Sequence, residues 1–257
     1  MSQTAYNPTE LLACVAASFL EDGKSVFVGT GLPLLAAMLA QRTHAPGLLI
    51  FFEAGGIGPQ LRALPISVGD SRTTYRAIAA SSMHDIMSLS QQGYVDFGFL
   101  GAAQMDSRGN LNTTVIGDHA LPKVRLPGSG GANDVASFAH RTIVIMRQSE
   151  RSFVGKLDFL TTPGHLDGPG GREGAGLPAG HGPYRVVTQL AVYDFEETTK
   201  RLRLASLHPG VELEAIQRAS GFSILIPERV PTSPAPTTEQ LELLRREIDP
   251  SAIVIGK

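Results

Sequence analysis

The run Leu48–Phe52 (LLIFF) sets the fold class of this chain. An unbroken apolar run of strand length has no polar face to give to water. It therefore reads as a strand buried on both faces, as in a largely parallel sheet covered by helices. Its flanks agree. Asn7-Pro8-Thr9-Glu10 is a helix start, with Asn7 as cap, Pro8 in the first turn and Glu10 placed to reach back, and this helix is expected to run to about Leu20. Gly23 ends the following turn, Ser25–Val28 reads as a strand, and the turn Gly29-Thr30-Gly31 leads into a second helix from Pro33 to about Thr43.

Further along, Asp85–Gln92 reads as a helix and Val95–Leu100, Leu111–Ile116 and Thr142–Met146 as strands. Tyr184–Thr188, Gln189–Asp194, Arg201–Leu207 and Phe222–Ile226 read as further strands, Glu212–Ser220 as a helix and Thr238–Ile248 as a capped terminal helix. Gly164–Pro183 is so rich in glycine and proline that no regular element is expected there, and a loop of that length is usually functional or interfacial. The expected fold is α/β: an open, largely parallel sheet with flanking helices. No internal repeat is visible, and the Pro-rich stretch Pro227–Pro236 leads into too little chain for a second domain. Residues 1–257 are expected to form a single domain.

Composition removes several function classes. A hydrophobic share of 42%, a charged share of 18% and a net charge of -2 describe an ordinary globular protein without the basic footprint that nucleic acid requires. No stretch approaches the roughly 20 apolar residues of a membrane span, and the start MSQTAYNPTE has neither a basic leader nor a hydrophobic signal core, so a cytoplasmic location is expected. The single cysteine, Cys14, excludes an internal disulfide or a thiolate metal cluster and falls on the apolar face of the first helix, as core packing.

Most motif candidates fail. Gly23-Lys24-Ser25 lacks the earlier glycine of a phosphate loop, which is Ser18 here, and it leads from helix to strand, the reverse of what such a loop needs. Gly29-Thr30-Gly31 has Leu34 where the dinucleotide fingerprint has its third glycine, although as a tight turn it can still present amides to an anion. Ser129 follows Pro127-Gly128 and not the glycine spacing of a hydrolase elbow. The histidines show no helical metal-site pairing; His165 and Asp167 read as an exposed loop pair and His208 as a strand-end turn residue.

Two features remain. Glu53 stands at the end of the LLIFF strand and is followed by Ala54, Gly55 and Gly56, small and flexible residues that leave room for a bulky partner. A carboxylate just beyond the carboxyl end of a parallel strand is where open α/β sheets carry out chemistry, though a solvent-facing glutamate fits the same position. Pro127–Asn133 (PGSGGAN) places glycines around one small polar residue, so that consecutive amides can form an oxyanion-stabilising nest or simply a tight turn.

Taken as a set, Val28–Pro33, Phe52–Gly55, Gly101–Asp106 with Gly109–Asn112, Ile116–Asp118, Gly128–Asn133, Leu166–Glu173 and Ser206–Gly210 resemble the B subunits of class I coenzyme A transferases, nearest to the glutaconate and 3-oxoadipate transferases. The resemblance spans nearly the whole chain in order and spacing. It implies the open α/β fold of these transferases (NagB-like), a partner A subunit in an assembly of two A and two B chains, and a site at the contact of unlike subunits. Glu53 matches the family's catalytic glutamate, and Gly131 and Ala132 match the pair whose amides line the oxyanion hole. Gly29, Gly31, Gly128, Gly130 and Asn133 fall at CoA-contacting positions. Ala54 departs from the Ser or Asn that often follows the glutamate, which removes one side-chain hydrogen bond near the nucleophile.

The implied reaction needs no metal or permanently bound cofactor, with coenzyme A as substrate. An ionised glutamate attacks a thioester to give a mixed anhydride, the released CoA thiolate converts it to a glutamyl-CoA thioester, and a second, dicarboxylic acid reverses the steps. The alternative on the same scaffold is an acyl-CoA hydrolase, ring-opening hydrolase or decarboxylase, against which the retained Glu53 argues. A non-catalytic ligand sensor would carry a DNA-binding segment, and none is evident. Arg125, Arg147 and Arg172 are possible carboxylate binders, with exposed surface arginine as the plainer reading for each.

Overall fold

The structure, a computed structural model, describes residues 5–256. The leader reading at the N-terminus therefore lies partly outside the described residues. Contacts cluster into two compact units, one running to Phe99 and resuming at Pro234, the other Leu100–Ser233, a division that the single-domain expectation did not contain.

In the first unit, α1 (Pro8–Ala17) opens with the capping box read from sequence: Glu10 N–H donates to Asn7 Oδ1 at 2.9 Å and Asn7 N–H to Glu10 Oε2 at 2.9 Å. It stops short of the expected Leu20 because Ser18 turns back, its hydroxyl donating to Val15 O at 2.7 Å. β1 (Ser25–Phe27) precedes α2 (Leu32–Arg42), whose Leu34–Ala40 stretch is buried throughout. Ala13, Ala16 and Ala17 of α1 and Ala36, Ala37 and Ala40 of α2 are at most 1% exposed, and these small side chains let the two packed helices approach closely.

The LLIFF run forms β2 (Leu49–Phe51), parallel to β1 with Phe27 opposite Phe51. β1 also pairs in parallel with β5 (Phe97–Leu100), so it is buried among neighbours on both sides. Beyond β2 the chain doubles back into two short antiparallel strands that the sequence did not announce, β3 (Gly56–Ile57) and β4 (Ala79–Ala80), before α3 (Met83–Gln91). The terminal helix was expected as one element over Thr238–Ile248. It splits into α7 (Thr238–Glu242) and a π-helical turn Leu243–Ile248, which keeps Leu244 and Ile248 fully buried while Arg245 reaches Glu10.

The second unit begins with the ribbons β6 (Gln104–Met105) with β7 (Leu111–Asn112), and β8 (Val115–Gly117) with β9 (Pro122–Arg125). The single strand expected over Leu111–Ile116 breaks at Thr113-Thr114 because Asn112 Oδ1 accepts Thr114 N–H at 2.9 Å, forming a side-chain turn. After α4 (Ala132–Phe138), β10 (Arg141–Ile145) pairs in parallel with β11 (Gly182–Val187), which continues antiparallel to β12 (Ala191–Phe195) and β13 (Leu202–Leu207). The Gly164–Pro183 segment does hold regular structure, against expectation: α5 (Gly171–Gly174) sits within it and β11 starts at Gly182. α6 (Leu213–Arg218) follows β13. The strand expected over Phe222–Ile226 does not form; only Leu225 bridges, to Arg203, and Pro227, which has no N–H to donate, follows directly on the segment. The expected open α/β sheet with flanking helices is what the chain builds, with parallel pairing inside each unit and antiparallel strands outward.

Candidate active site

β1 and β2 run in parallel and in register, so their carboxyl ends lie side by side. Gly29 stands two residues beyond Phe27 and Glu53 two residues beyond Phe51, which places the glycine turn and the glutamate level with each other at the same end of the sheet. That end is where ligands meet open α/β sheets. Gly31 caps α2 with φ 82 and ψ -140, a conformation open only to glycine, and neither Gly29 nor Gly31 has any atom within 4 Å of where a Cβ would stand. The turn is thus bare on its outer face.

Glu53 is half-buried in a tight turn between β2 and β3, and among the described residues no side chain is hydrogen-bonded to its carboxylate. The turn is closed by Phe52 N–H to Gly56 O at 2.9 Å and Gly55 N–H to Phe52 O at 3.0 Å. Gly55 and Gly56, read from the sequence as small, flexible residues that leave room beside Glu53, are also required by packing on their inner side. A Cβ at Gly55 would overlap Ser81 O and one at Gly56 would overlap Thr73 O, so both glycines are demanded by close backbone approach.

The second candidate element, Gly128–Asn133, lies in the other unit and is sewn down at both edges. Gly128 N–H donates to Thr113 O at 2.8 Å, Thr113 Oγ1 donates to Gly128 O at 2.8 Å, and Asn133 Nδ2 donates to Thr161 O at 3.0 Å. Between these anchors φ alternates in sign, +49 at Gly130 and -77 at Gly131, which is the backbone pattern of an anion nest. Ala132 N–H closes the turn onto Ser129 O at 3.0 Å, and Asn133 N–H goes to Ser129 Oγ at 3.2 Å. Gly131 N–H has no acceptor among the described residues. Of the expected pair, Gly131 is therefore the open donor and Ala132 a donor already shared within the turn. Asn133, expected to contact CoA, has its side chain holding the turn.

The remaining candidates divide. Arg125 and Arg147 are exposed, as the plainer reading had it. Arg172 is corrected: only 3% exposed, it is neither a surface group nor directed at a carboxylate, and its guanidinium bonds backbone carbonyls. His165 is corrected as well. Its ring lies edge-on to Phe195 with centroids 4.9 Å apart, and burial, with Lys200, Arg172 and Arg108 nearby, pushes its pKa down to about 4, so only Asp167 of the pair is exposed. His208 is buried, with Nε2 2.8 Å from Thr188 O and Nδ1 3.2 Å from Ser233 Oγ. Sequence reasoning missed Thr113 and Thr161 as the anchors of the glycine turn; nothing local marks a threonine whose partner lies 15 or 28 residues away.

The coenzyme A transferase family model matches residues 10–219. The chain belongs to the coenzyme A transferase family. It is 42% identical over 243 residues, 94% of this chain and 93% of the relative, to the B subunit of a 3-oxoadipate CoA-transferase of Pseudomonas knackmussii. It is 38% identical over 257 residues, 98% of this chain and 96% of the relative, to the B subunit of the glutaconate CoA-transferase of Acidaminococcus fermentans. The crystal structure of that glutaconate coenzyme A-transferase superposes with a TM-score of 0.94 at 37% identity, covering 99% of both chains. The open sheet described above is thus the fold of this transferase family, and the enzyme class read from the sequence is borne out. No helix among the described residues is long and apolar enough to cross a membrane.

Proposed function

We propose that this CoA-transferase chain carries the covalent step on Glu53, moving CoA from an acyl-CoA to a dicarboxylic acceptor. The observation that carries the reading is the position of Glu53: level with the bare Gly29–Gly31 turn at the carboxyl end of two parallel strands, with no hydrogen bond to its carboxylate among the described residues. The acceptor class rests on the relatives, which are named for 3-oxoadipate and glutaconate, both dicarboxylates. A glutamate has a reference pKa near 4.3 and is ionised at neutral pH, ready to attack the thioester carbonyl. The C–S bond breaks, an acyl-glutamyl anhydride forms and CoA leaves as thiolate. That thiolate attacks the glutamyl carbonyl and displaces the first carboxylate, leaving a glutamyl-CoA thioester on Glu53. An incoming carboxylate attacks this thioester to give a new anhydride and CoA thiolate, which then takes the acyl group and frees Glu53.

Each attack passes through an oxyanion. Gly131 N–H is the open donor for it, with Ala132 sharing its hydrogen between Ser129 O and the oxyanion; one such donor is typically worth about 3–4 kcal/mol of barrier. Gly29, Gly31, Gly128 and Gly130 offer backbone without side-chain cover to the CoA. The partner is an A subunit, implied by relatives that are themselves B subunits, in an assembly of two A and two B chains acting in the cytoplasm.

The test is to co-express the chain with its A partner, incubate with acyl-CoA and no acceptor, and look by mass spectrometry for a CoA adduct on the peptide holding Glu53. The adduct should vanish, with transfer activity, in Glu53→Ala at unchanged assembly. Near-normal transfer by assembled Glu53→Ala would overturn the assignment. Purified without its partner, the chain is expected to be inactive.

A further inference from the structure

The most deeply buried charge in the second unit belongs to a residue that the transfer chemistry does not use. Arg172 stands in α5 at 3% exposure, and its guanidinium makes two pairs of bonds. Nη1 donates to Pro163 O at 3.2 Å and Gly164 O at 2.9 Å; Nη2 donates to Ala136 O at 3.0 Å and Ser137 O at 3.0 Å. Ala136 and Ser137 belong to the last turn of α4, and its final carbonyl, Phe138 O, lies 3.0 Å from Nδ1 of His181. The carbonyls that a helix leaves unsatisfied at its end are thus taken up by two side chains of the same glycine-rich segment. A cation there also matches the negative end of the helix dipole.

The other end of α4 is Ala132, the residue after Gly131. A helix of 7 residues has little stability of its own, so its position is set by what grips it. Asn133 grips it at the start, through Thr161 O, and Arg172 and His181 grip it at the finish. The gripping segment is itself rooted: Asn110 Oδ1 accepts Gly164 N–H at 2.7 Å and Leu166 N–H at 3.0 Å, and Asn110 Nδ2 donates to Leu166 O at 3.0 Å. Gly182 completes the fit, since a Cβ there would stand 3.1 Å from Arg172 Nε at a φ of +134. Burying a guanidinium away from a carboxylate is costly, and an apolar side chain would fill the same space at less cost. What only the planar fork supplies is direction, four bonds that fix α4 relative to residues 163–164.

We propose that Arg172 is a positioning residue for CoA transfer, acting through α4 to fix the orientation of the Gly131 and Ala132 amides. The proposal rests on the reading of those amides given above. Because α4 is only about 10 Å long, a shift at its Arg172 end is carried to the donors as a tilt about the Asn133 anchor. Misplacing catalytic groups by about 1 Å can lower a rate on the order of 100-fold.

The experiment uses the co-purified two-chain enzyme with Arg172→Ala and Arg172→Lys in this chain. A cavity of ≈ 540 Å³ lined by Arg172, Glu173, His181, Gly182 and Lys200 gives free guanidinium a route to the emptied place. For Arg172→Ala, kcat should fall about 10- to 100-fold with KM for acyl-CoA changed by less than about 3-fold. Amide hydrogen exchange of the peptide spanning Gly128–Phe138 should quicken. Millimolar guanidinium should restore kcat where the same concentration of sodium chloride does not. A kcat within about twofold of wild type in assembled Arg172→Ala would leave Arg172 a purely structural residue and overturn the proposal. Should Arg172→Ala not assemble, Arg172→Lys, which keeps the charge but not the fork, decides: wild-type kcat there overturns it equally. Glu53→Ala separates the two levels of the argument. Normal transfer in that variant sinks the site reading, whereas an inactive Glu53→Ala beside an unaffected Arg172 variant sinks only the role of Arg172.

Discussion

Gly55 lies with its Cα against the carbonyl of Ser81, so close that a Cβ at Gly55 would overlap the Ser81 oxygen. Ser81 N–H in turn donates to Gly55 O at 2.9 Å, and Gly55 holds φ +118. The turn that presents Glu53 is therefore clamped two residues downstream. Gly55→Ala is expected to cost at least about 2 kcal/mol in urea denaturation and to remove most turnover, because both the backbone angle and the space forbid a side chain. Gly29→Ala is the control. Its Cβ enters open space at an ordinary φ, so its stability should stay within about 0.5 kcal/mol of wild type.

The glycine-rich turn of the second unit makes a finer distinction. Gly130 has φ +49 and Gly131 has φ -77, so alanine is strained at the first and comfortable at the second. Gly130→Ala should lose about 1 kcal/mol of stability and lower kcat by more than that loss explains, since the alternating backbone of the nest collapses. Gly131→Ala keeps its amide and its backbone angle, and should retain kcat within a few-fold. Steady-state kinetics on both variants read this directly. Equal damage at the two positions would show that side-chain bulk, and not amide geometry, matters there.

Glu10 is buried beneath Arg245, whose Nε and Nη2 donate to its carboxylate oxygens at 2.6 and 2.9 Å. Burial pushes the Glu10 pKa up, but Arg245 and the Asn7 amide outweigh it and hold the carboxyl below its ordinary value. A lowered folded-state pKa contributes stability that is present above the unfolded value of about 4.5 and is lost as pH falls through the folded one. Arg245→Ala should therefore destabilise by about 1–3 kcal/mol at pH 7, discounted from a fully buried pair because Arg245 is 41% exposed. The gap should narrow as Glu10 is protonated in acid. Thermal melts of both proteins between about pH 2.5 and pH 7 check the sign.

Cys14 is 5% exposed, and burial, with Glu10 nearby, pushes its thiol up to about 12. The native protein should resist a disulfide reagent at pH 8 and titrate a single thiol only after denaturation. Rapid labelling of the folded chain would mean that α1 opens far more readily than its buried face allows.

What was legible in the sequence was local. The Asn7–Glu10 capping box, the LLIFF strand and the position of Glu53 at its end all follow from spacing over a few residues, and each stands as read. What misled was distant in sequence. Gly55 and Gly56 read only as small, flexible residues until Ser81 and Thr73 are brought against them, and Arg172 looks like one more surface cation until four carbonyls from two other segments close on it.

The chain's own pattern thus determined the α/β class, the candidate nucleophile and the glycine turns, because hydrophobic period, capping and glycine placement act over one or two turns of backbone. Only the tertiary structure decided that Gly29 stands level with Glu53, that Gly131 keeps an open amide while Ala132 does not, and that Arg172 grips α4 from its far end. Those outcomes depend on strand register and on which backbone groups meet after packing, and both are settled by contacts between residues that local sequence does not couple.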